Sequence, residues 1–257
     1  MVSHWDLIRT LVRKDLVGRY RGSFLGLFWT VLNPLFTLLL YAVLFGVVLK
    51  VKFVSHGTPG NYTVYLLCGM LPWLAVSEAV SRSVDSVVSN VNLVKKVVFP
   101  LEILPVNVVA SALVSEGFAM IVLIGGILLT MHRLPWTVLL LPLILIPQLL
   151  LTTGLCWFLA SMGVFVRDLG QAVSLLLMGW MFATPIMYPE TMIPARFGWV
   201  LKINPLALIV SAYRGIFIEA QVPHWKWLTA WGVFAIVFAF VGHAWFLKTK
   251  RGFADVI

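Results

Sequence analysis

Side chains able to do chemistry are scarce in this chain of 257 residues. No G-x-x-x-x-G-K-[ST] phosphate loop occurs, which excludes nucleotide hydrolysis by that route. No two His, Cys, Asp or Glu residues stand at the ligand spacing of a recognised metal motif. His4, His56, His132, His224 and His243 fall near the ends of apolar segments, as interfacial polar residues do. Cys68 and Cys156 lie inside apolar segments and read as buried thiols. A membrane enzyme would need a carboxylate pair or metal motif at a membrane face. A proton-coupled carrier would need a second carboxylate-rich span.

What recurs instead is polar residues at helical spacing. Thr30, Asn33, Thr37 and Tyr41 share one face of a first apolar helix. Glu78, Ser81, Arg82, Asp85, Ser89 and Asn92 do so on a second, and Gly170, Ser174, Met181, Thr184 and Tyr188, flanked by Trp180, on a later one. Such stripes either pack helices through small and hydroxylated residues or line a polar cavity. Glu78, Arg82 and Asp85 cannot face lipid without cost, so they must pair within the protein or face water.

The elements that would position these residues are membrane helices. The chain is 61% hydrophobic and only 11% charged, against roughly 25% charged in a soluble domain. Collagen, disorder and a disulfide scaffold are excluded. Uncharged blocks at 27–49, 134–166, 169–189 and 227–247 each exceed the roughly 18 apolar residues that mark a bilayer span. The reading is an all-α integral membrane protein of six transmembrane helices, at about 27–50, 62–89, 103–131, 137–166, 170–189 and 227–247. Glu78 and Glu116 interrupt the second and third. The fourth is long enough to tilt or bend, with Pro142 and Pro147 to bend it. Basic residues spread from Arg9 to Arg21 without a cleavage site do not fit a signal peptide. With both termini cytoplasmic, the inner segments hold twelve Lys or Arg and the outer ones seven, four of them in one long loop.

Three regions outside the spans are organised. In the N-terminal stretch 1–26, Trp5, Ile8, Leu11, Val12, Leu16 and Tyr20 form one helical face opposite Arg9, Arg13 and Lys14, as in a helix lying at the membrane surface. Asp15 intrudes near the apolar face within i,i+4 reach of Arg19, as a local ion pair or a functional residue. The link 91–102 joins Lys95 and Lys96 to Phe99, Pro100 and Glu102. The outer loop 190–226 is too apolar for a linker, and Ile203 to Ile218 can form a short helix dipping into the bilayer. The membrane domain thus covers 27–247, followed by a tail at 248–257. Gly22 to Gly26 and Asn61-Tyr62-Thr63 match motifs that arise often by chance.

The run Arg19-Tyr20-Arg21-Gly22-Ser23-Phe24-Leu25-Gly26-Leu27-Phe28-Trp29 with Asn33-Pro34 resembles the N-terminal signature of permease subunits of type-2 ABC exporters that move cell-surface polysaccharides. Lys96 with Phe99-Pro100, Arg167-Asp168, Thr184-Pro185-Ile186 with Tyr188, Asn204-Pro205 and Arg214 continue the likeness in order, over nearly the whole chain. O-antigen exporter permeases are most similar, with capsule and teichoic-acid permeases and small-molecule exporters of the same fold as alternatives. The resemblance implies a homodimeric, multi-pass protein of the bacterial cytoplasmic (inner) membrane that works with two copies of an ABC ATPase. ATP and Mg are then bound by that partner, and none is held by this chain. The substrate implied is a polyprenyl-diphosphate-linked polysaccharide, with no nucleic acid. Asp15, Arg19, Arg21, Lys95, Lys96, Phe99, Pro100 and Glu102 fall to ATPase coupling, and Asn204, Pro205 and Arg214 to an outer gate of short re-entrant helices. Thr30, Asn33, Thr37, Tyr41, Trp180, Met181, Thr184 and Tyr188 are expected to line the channel, since sugar rings slide on aromatic faces.

Overall fold

The computed structural model describes residues 4–19, 23–24, 26–48, 53–55, 58–60, 62–96 and 99–256. In chain order the helices are α1 (His4–Arg19), α2 (Trp29–Tyr41), α3 (Tyr62–Ser83), α4 (Val91–Lys96), α5 (Ile103–Met131), α6 (Leu141–Phe165), α7 (Leu169–Ala183), α8 (Gly198–Ile203), α9 (Pro205–Arg214), α10 (Trp225–Thr249) and α11 (Phe253–Val256). Among the described residues the only strands are Phe53–Ser55 and Thr58–Gly60, an antiparallel hairpin. Among the described residues four helices have the length and apolarity to cross a bilayer: Tyr62–Ser83, Ile103–Met131, Trp136–Phe165 and Trp225–Gly252. Large apolar side chains such as Ile121, Leu129 and Phe240 stand exposed on α5 and α10, a surface that lipid suits and water does not.

The first and fifth expected spans are shorter helices than their apolar blocks. α2 has 13 residues and continues as a π-helix over Ala42–Val48. α7 has 15 residues, about 22 Å of helix against a hydrocarbon core of roughly 30 Å. Pro185 stops it. A residue before proline is driven out of the α region, and Thr184 takes φ −100° and ψ 132°. The expected fourth span is one continuous helical element, opened by a 3-10 turn at Trp136–Leu140 and carrying Pro147 inside α6. In the outer loop, Ala195–Ile203 and Pro205–Glu219 meet at 91°. Pro205 starts α9 at a position where its missing N–H is no loss, and the Asn204 side chain caps the helix by accepting from Leu206 N at 3.1 Å.

α3 is the centre of the bundle. Its most apolar window is 78% buried within the protein, against 22–33% for the other three spanning helices, and it packs on α5, α6, α7 and α9. At one side α6 and α10 touch backbone to backbone. A Cβ on Gly242 would stand 2.3 Å from the Gly154 carbonyl oxygen, and one on Gly163 2.1 Å from that of Val84. Such approach is open only to glycine, and in a bilayer it supplies the van der Waals contact that holds helices together. Gly163→Ala is therefore expected to lower stability by about 1–3 kcal/mol through overpacking. Gly126→Ala, with nothing within 4 Å of the added carbon, should be neutral. Thermal unfolding of the two variants in detergent checks both.

Candidate functional site: an intramembrane polar cleft and its outer clamp

Parts of the three stripes converge. Asn33 and Thr37 on α2, Ser77, Glu78 and Ser81 on α3, Ser115 and Glu116 on α5, and Ser174 on α7 line one cleft of about 560 Å³, with Leu71, Leu74, Ala75, Ala119 and Leu177 as its apolar wall. Three of the four serines donate to carbonyls of their own helices: Ser77 to Leu74 at 3.2 Å, Ser115 to Ser111 at 3.3 Å and Ser174 to Gly170 at 2.9 Å. Their oxygens retain lone pairs for a guest molecule.

The two carboxylates at the cleft are engaged by the protein. Glu78 accepts from Arg82 at 3.3 Å, and the same guanidinium donates to both oxygens of Asp15 at 2.6 and 2.9 Å. This ion pair joins α1 to α3 across 67 residues of sequence. It replaces part of the expected network, because α3 ends at Ser83 and Asp85 lies beyond it, exposed. Glu116, buried, takes Gln148 Nε2 on its two oxygens at 3.0 and 2.9 Å and the Tyr213 hydroxyl at 2.8 Å, and Tyr213 also reaches Gln148 Oε1 at 3.1 Å. Sequence reading noted Glu116 only as an interruption of a span. Its partners lie 32 and 97 residues away, and no spacing rule connects them.

At the end of α9, Arg214 is 4% exposed. Its Nη1 donates to the Pro185 carbonyl at 2.6 Å, Nη2 to that of Ile186 at 2.7 Å and Nε to that of Tyr65 at 3.4 Å, while the guanidinium lies 3.5 Å from the centre of the Tyr65 ring. The Tyr62 hydroxyl donates to the Met187 carbonyl. Asn204 accepts from Trp180 Nε1 at 2.9 Å and donates to Thr184 Oγ1 at 2.9 Å. Asn204, Pro205 and Arg214, expected at the outer gate, thus tie α9 to the end of α7 and to α3.

Of the expected channel residues, Asn33 and Thr37 line the cleft, and Ser174 joins them from the same α7 stripe. The Thr30 side chain lies outside the described residues. Tyr41, Trp180 and Met181 pack against the core, Trp180 edge-on to Trp73. Thr184 is fully buried and leaves the lining set, and the Tyr188 hydroxyl bonds to the Phe182 carbonyl. The reason is the end of α7 at Ala183. An i,i+4 face extrapolated to 184 and 188 runs past the helix.

Of the residues expected at ATPase coupling, Asp15 is held by Arg82 as above. The side chains of Arg19 and Lys96, and the whole of Arg21, lie outside the described residues. On α1, Ile8, Leu11, Val12 and Leu16 are half-buried while Arg9, Arg13 and Lys14 are exposed, and the helix packs on α5. Lys95 is exposed on α4, Phe99 packs into a small second apolar cluster, and the Pro100 carbonyl begins the turn into α5. Glu102 pairs with Lys250 at 2.8 Å. Partial burial raises its carboxyl, but the hydrogen bond from Lys250, the local backbone bond and the Lys250 charge outweigh this and hold it below its ordinary value. Arg167 and Asp168 are exposed at the turn between α6 and α7.

A helical bundle with several helices of spanning length and a polar cleft among them has the make-up of a multi-pass membrane protein. Residues 6–218 match the family described as ABC-2 type transporter, and the chain belongs to it. It is 33% identical over 255 residues to the O-antigen export system permease protein RfbA of Myxococcus xanthus, covering 98% of this chain and 95% of that protein. The RfbA of Klebsiella pneumoniae is 31% identical over 258 residues, with 98% and 95% covered. The polysialic acid transport protein KpsM of Escherichia coli is 23% identical over 244 residues, with 92% and 91% covered.

Arg214→Lys keeps the charge but removes the planar fork that meets two adjacent carbonyls. The variant is expected to lose about 1–3 kcal/mol, the cost of leaving a buried acceptor unmet. Protease sensitivity within 184–190 should rise with it. Thermal unfolding and mapping of the cleavage sites measure both, and unchanged values would show that the outer clamp carries no stability.

Proposed function

We propose that this chain is the channel-forming permease subunit of an ATP-driven exporter that moves a polyprenyl-diphosphate-linked polysaccharide, of O-antigen type, across the bacterial cytoplasmic membrane. The observation that carries the reading is the cleft. Its carboxylates are engaged by the protein, and neutral serine, threonine and asparagine groups make up the rest of its polar lining. A polymer that must keep moving needs shallow, exchangeable contacts, and hydroxyl oxygens that accept weakly from sugar hydroxyls supply them. The names of the relatives at 31–33% identity favour O-antigen as the cargo, and the KpsM relative keeps a capsular polymer as the second reading.

In this proposal the chain crosses the membrane six times with both termini cytoplasmic. α2 with its π-helical continuation and α7 with the turn and bend at 184–188 are the two crossings that a pure helix count misses. Irregular backbone at membrane depth is tolerated where protein buries it and meets its polar groups, as Arg214 does for Pro185 and Ile186. Two copies face each other to close the conduit, α8 and α9 form its outer gate, and two ABC ATPase subunits, which bind Mg and ATP, dock on α1 and the 91–102 link.

Two measurements test this. The purified chain is expected to hydrolyse no ATP, with activity appearing only when an ABC ATPase partner is added; turnover by the chain alone would overturn the division of labour. In a background free of Cys68 and Cys156, single cysteines at Thr37, Ser77 and Ser174 should react with water-soluble thiol reagents in at least one nucleotide state of the complex, and substrate should slow them. A cysteine at Thr184 should stay protected throughout. Uniform protection at the three cleft positions would remove the conduit while leaving family membership intact.

A further inference from the structure

The last residues do not hang free. α10 runs through a 3-10 turn at Lys250–Gly252 into α11, and Phe253 is fully buried there. Its ring lies edge-on to Phe246 at 5.5 Å and 5.9 Å from Phe165. The same cluster contains Val87, Leu101 and Leu104, and Leu93, Val94 and Phe99 pack against it. α11 also touches α4. Three residues before Phe253, the Lys250 ammonium donates to Glu102 at 2.8 Å, and the Glu102 carbonyl accepts from Trp157 Nε1 at 2.9 Å. The tail therefore grips the 91–102 link at both ends, through apolar contact near α4 and through an ion pair at the start of α5.

α4 is only six residues long and cannot fix its own direction. Its posture must come from what it leans on, and that surface includes a side chain from the C-terminal helix. Lys95 on α4, with Lys248 and Arg251 on the end of α10 and the turn after it, are all exposed.

We propose that residues 250–256 are a positioning element of ATPase coupling, in which Phe253 and Lys250 clasp the 91–102 link and hold it in the posture from which it transmits nucleotide-driven motion. This rests on the link being the ATPase contact, as proposed above. Phe253 and Lys250 touch neither substrate nor nucleotide, so they act through the link.

The test uses the full permease in complex with its ABC ATPase and carries a cysteine at Thr37 as reporter. The readout is the ratio of labelling rates with and without ATP, alongside complex recovery and ATP turnover. In the clasp variants Phe253→Ala and Lys250→Glu, the complex and its ATP turnover should persist while the ATP-dependent change in labelling shrinks by about tenfold, within the usual range of coupling between sites. Adding Glu102→Lys to Lys250→Glu should restore it by reversing the pair. This charge reversal decides the matter even if Phe253→Ala fails to assemble. A Lys250→Glu variant with wild-type ATP dependence, or a double variant no better than the single, overturns the clasp. Phe99→Ala separates the two layers. If it also leaves the ATP response intact, the link itself is not the coupling element; if it abolishes the response while the tail variants keep it, only the clasp falls.

Discussion

A buried guanidinium is the constraint around which one half of this protein is arranged. Arg214 has no water to turn to, and in a low-dielectric interior each of its donors must meet an oxygen. The oxygens it finds are carbonyls that the end of α7 has left over, at Pro185 and Ile186, together with that of Tyr65 on the central helix. Pro185 breaks the helix, the break leaves carbonyls unpaired, and the cation that ends α9 meets them. Three elements are fixed by one side chain. Asn204 completes the arrangement at the other end of α9, where one amide caps that helix and joins the Trp180 and Thr184 side chains of the α7 end.

The other end of α3 uses the same logic with different groups. Arg82 satisfies Asp15 and Glu78 together and so ties α1 to the base of the cleft. Between the two halves stands Glu116, whose partners Gln148 and Tyr213 connect α5, α6 and α9. Since Tyr213 is the residue before Arg214, the cleft wall and the outer clamp meet within two consecutive positions. Each polar group costly to bury serves as a joint between helices that apolar packing alone would leave free to slide.

Much of this was legible in the sequence. The uncharged blocks 134–166 and 227–247 coincide with helices of spanning length, the amphipathic pattern located α1, and the apolar stretch from Ile203 to Ile218 marked the helical segment found at Pro205–Glu219. The stripes on α2 and α3 pointed to a cavity and reach it where they stay helical, at Asn33 and Thr37 and at Glu78 and Ser81. The extrapolation failed at Thr184 and Tyr188, where the period of 3.6 was carried past a proline. What no local pattern could reveal is pairing between distant segments. Asp15 with Arg82, Glu116 with Tyr213 and Lys250 with Glu102 are separated by 67, 97 and 148 residues, and each side chain alone reads as a solvated or locally paired charge. In a soluble protein that local reading is usually right. In a bilayer, the cost of an unmet charge drives it to a remote partner.

The way the cleft serines bond has an evolutionary consequence. Ser77, Ser115 and Ser174 each donate to a carbonyl of their own helix, and such carbonyls elsewhere in a helix already accept a backbone N–H, so replacing serine by alanine or threonine strands no buried partner. Mutation at Ser77, Ser115 or Ser174 can therefore alter the shape and wetness of the lining without disturbing the joints that fold the bundle. Arg214 and Glu116 have no such freedom. In the proposed exporter, the first set of positions can be reshaped for a different polymer while the second keeps the frame intact.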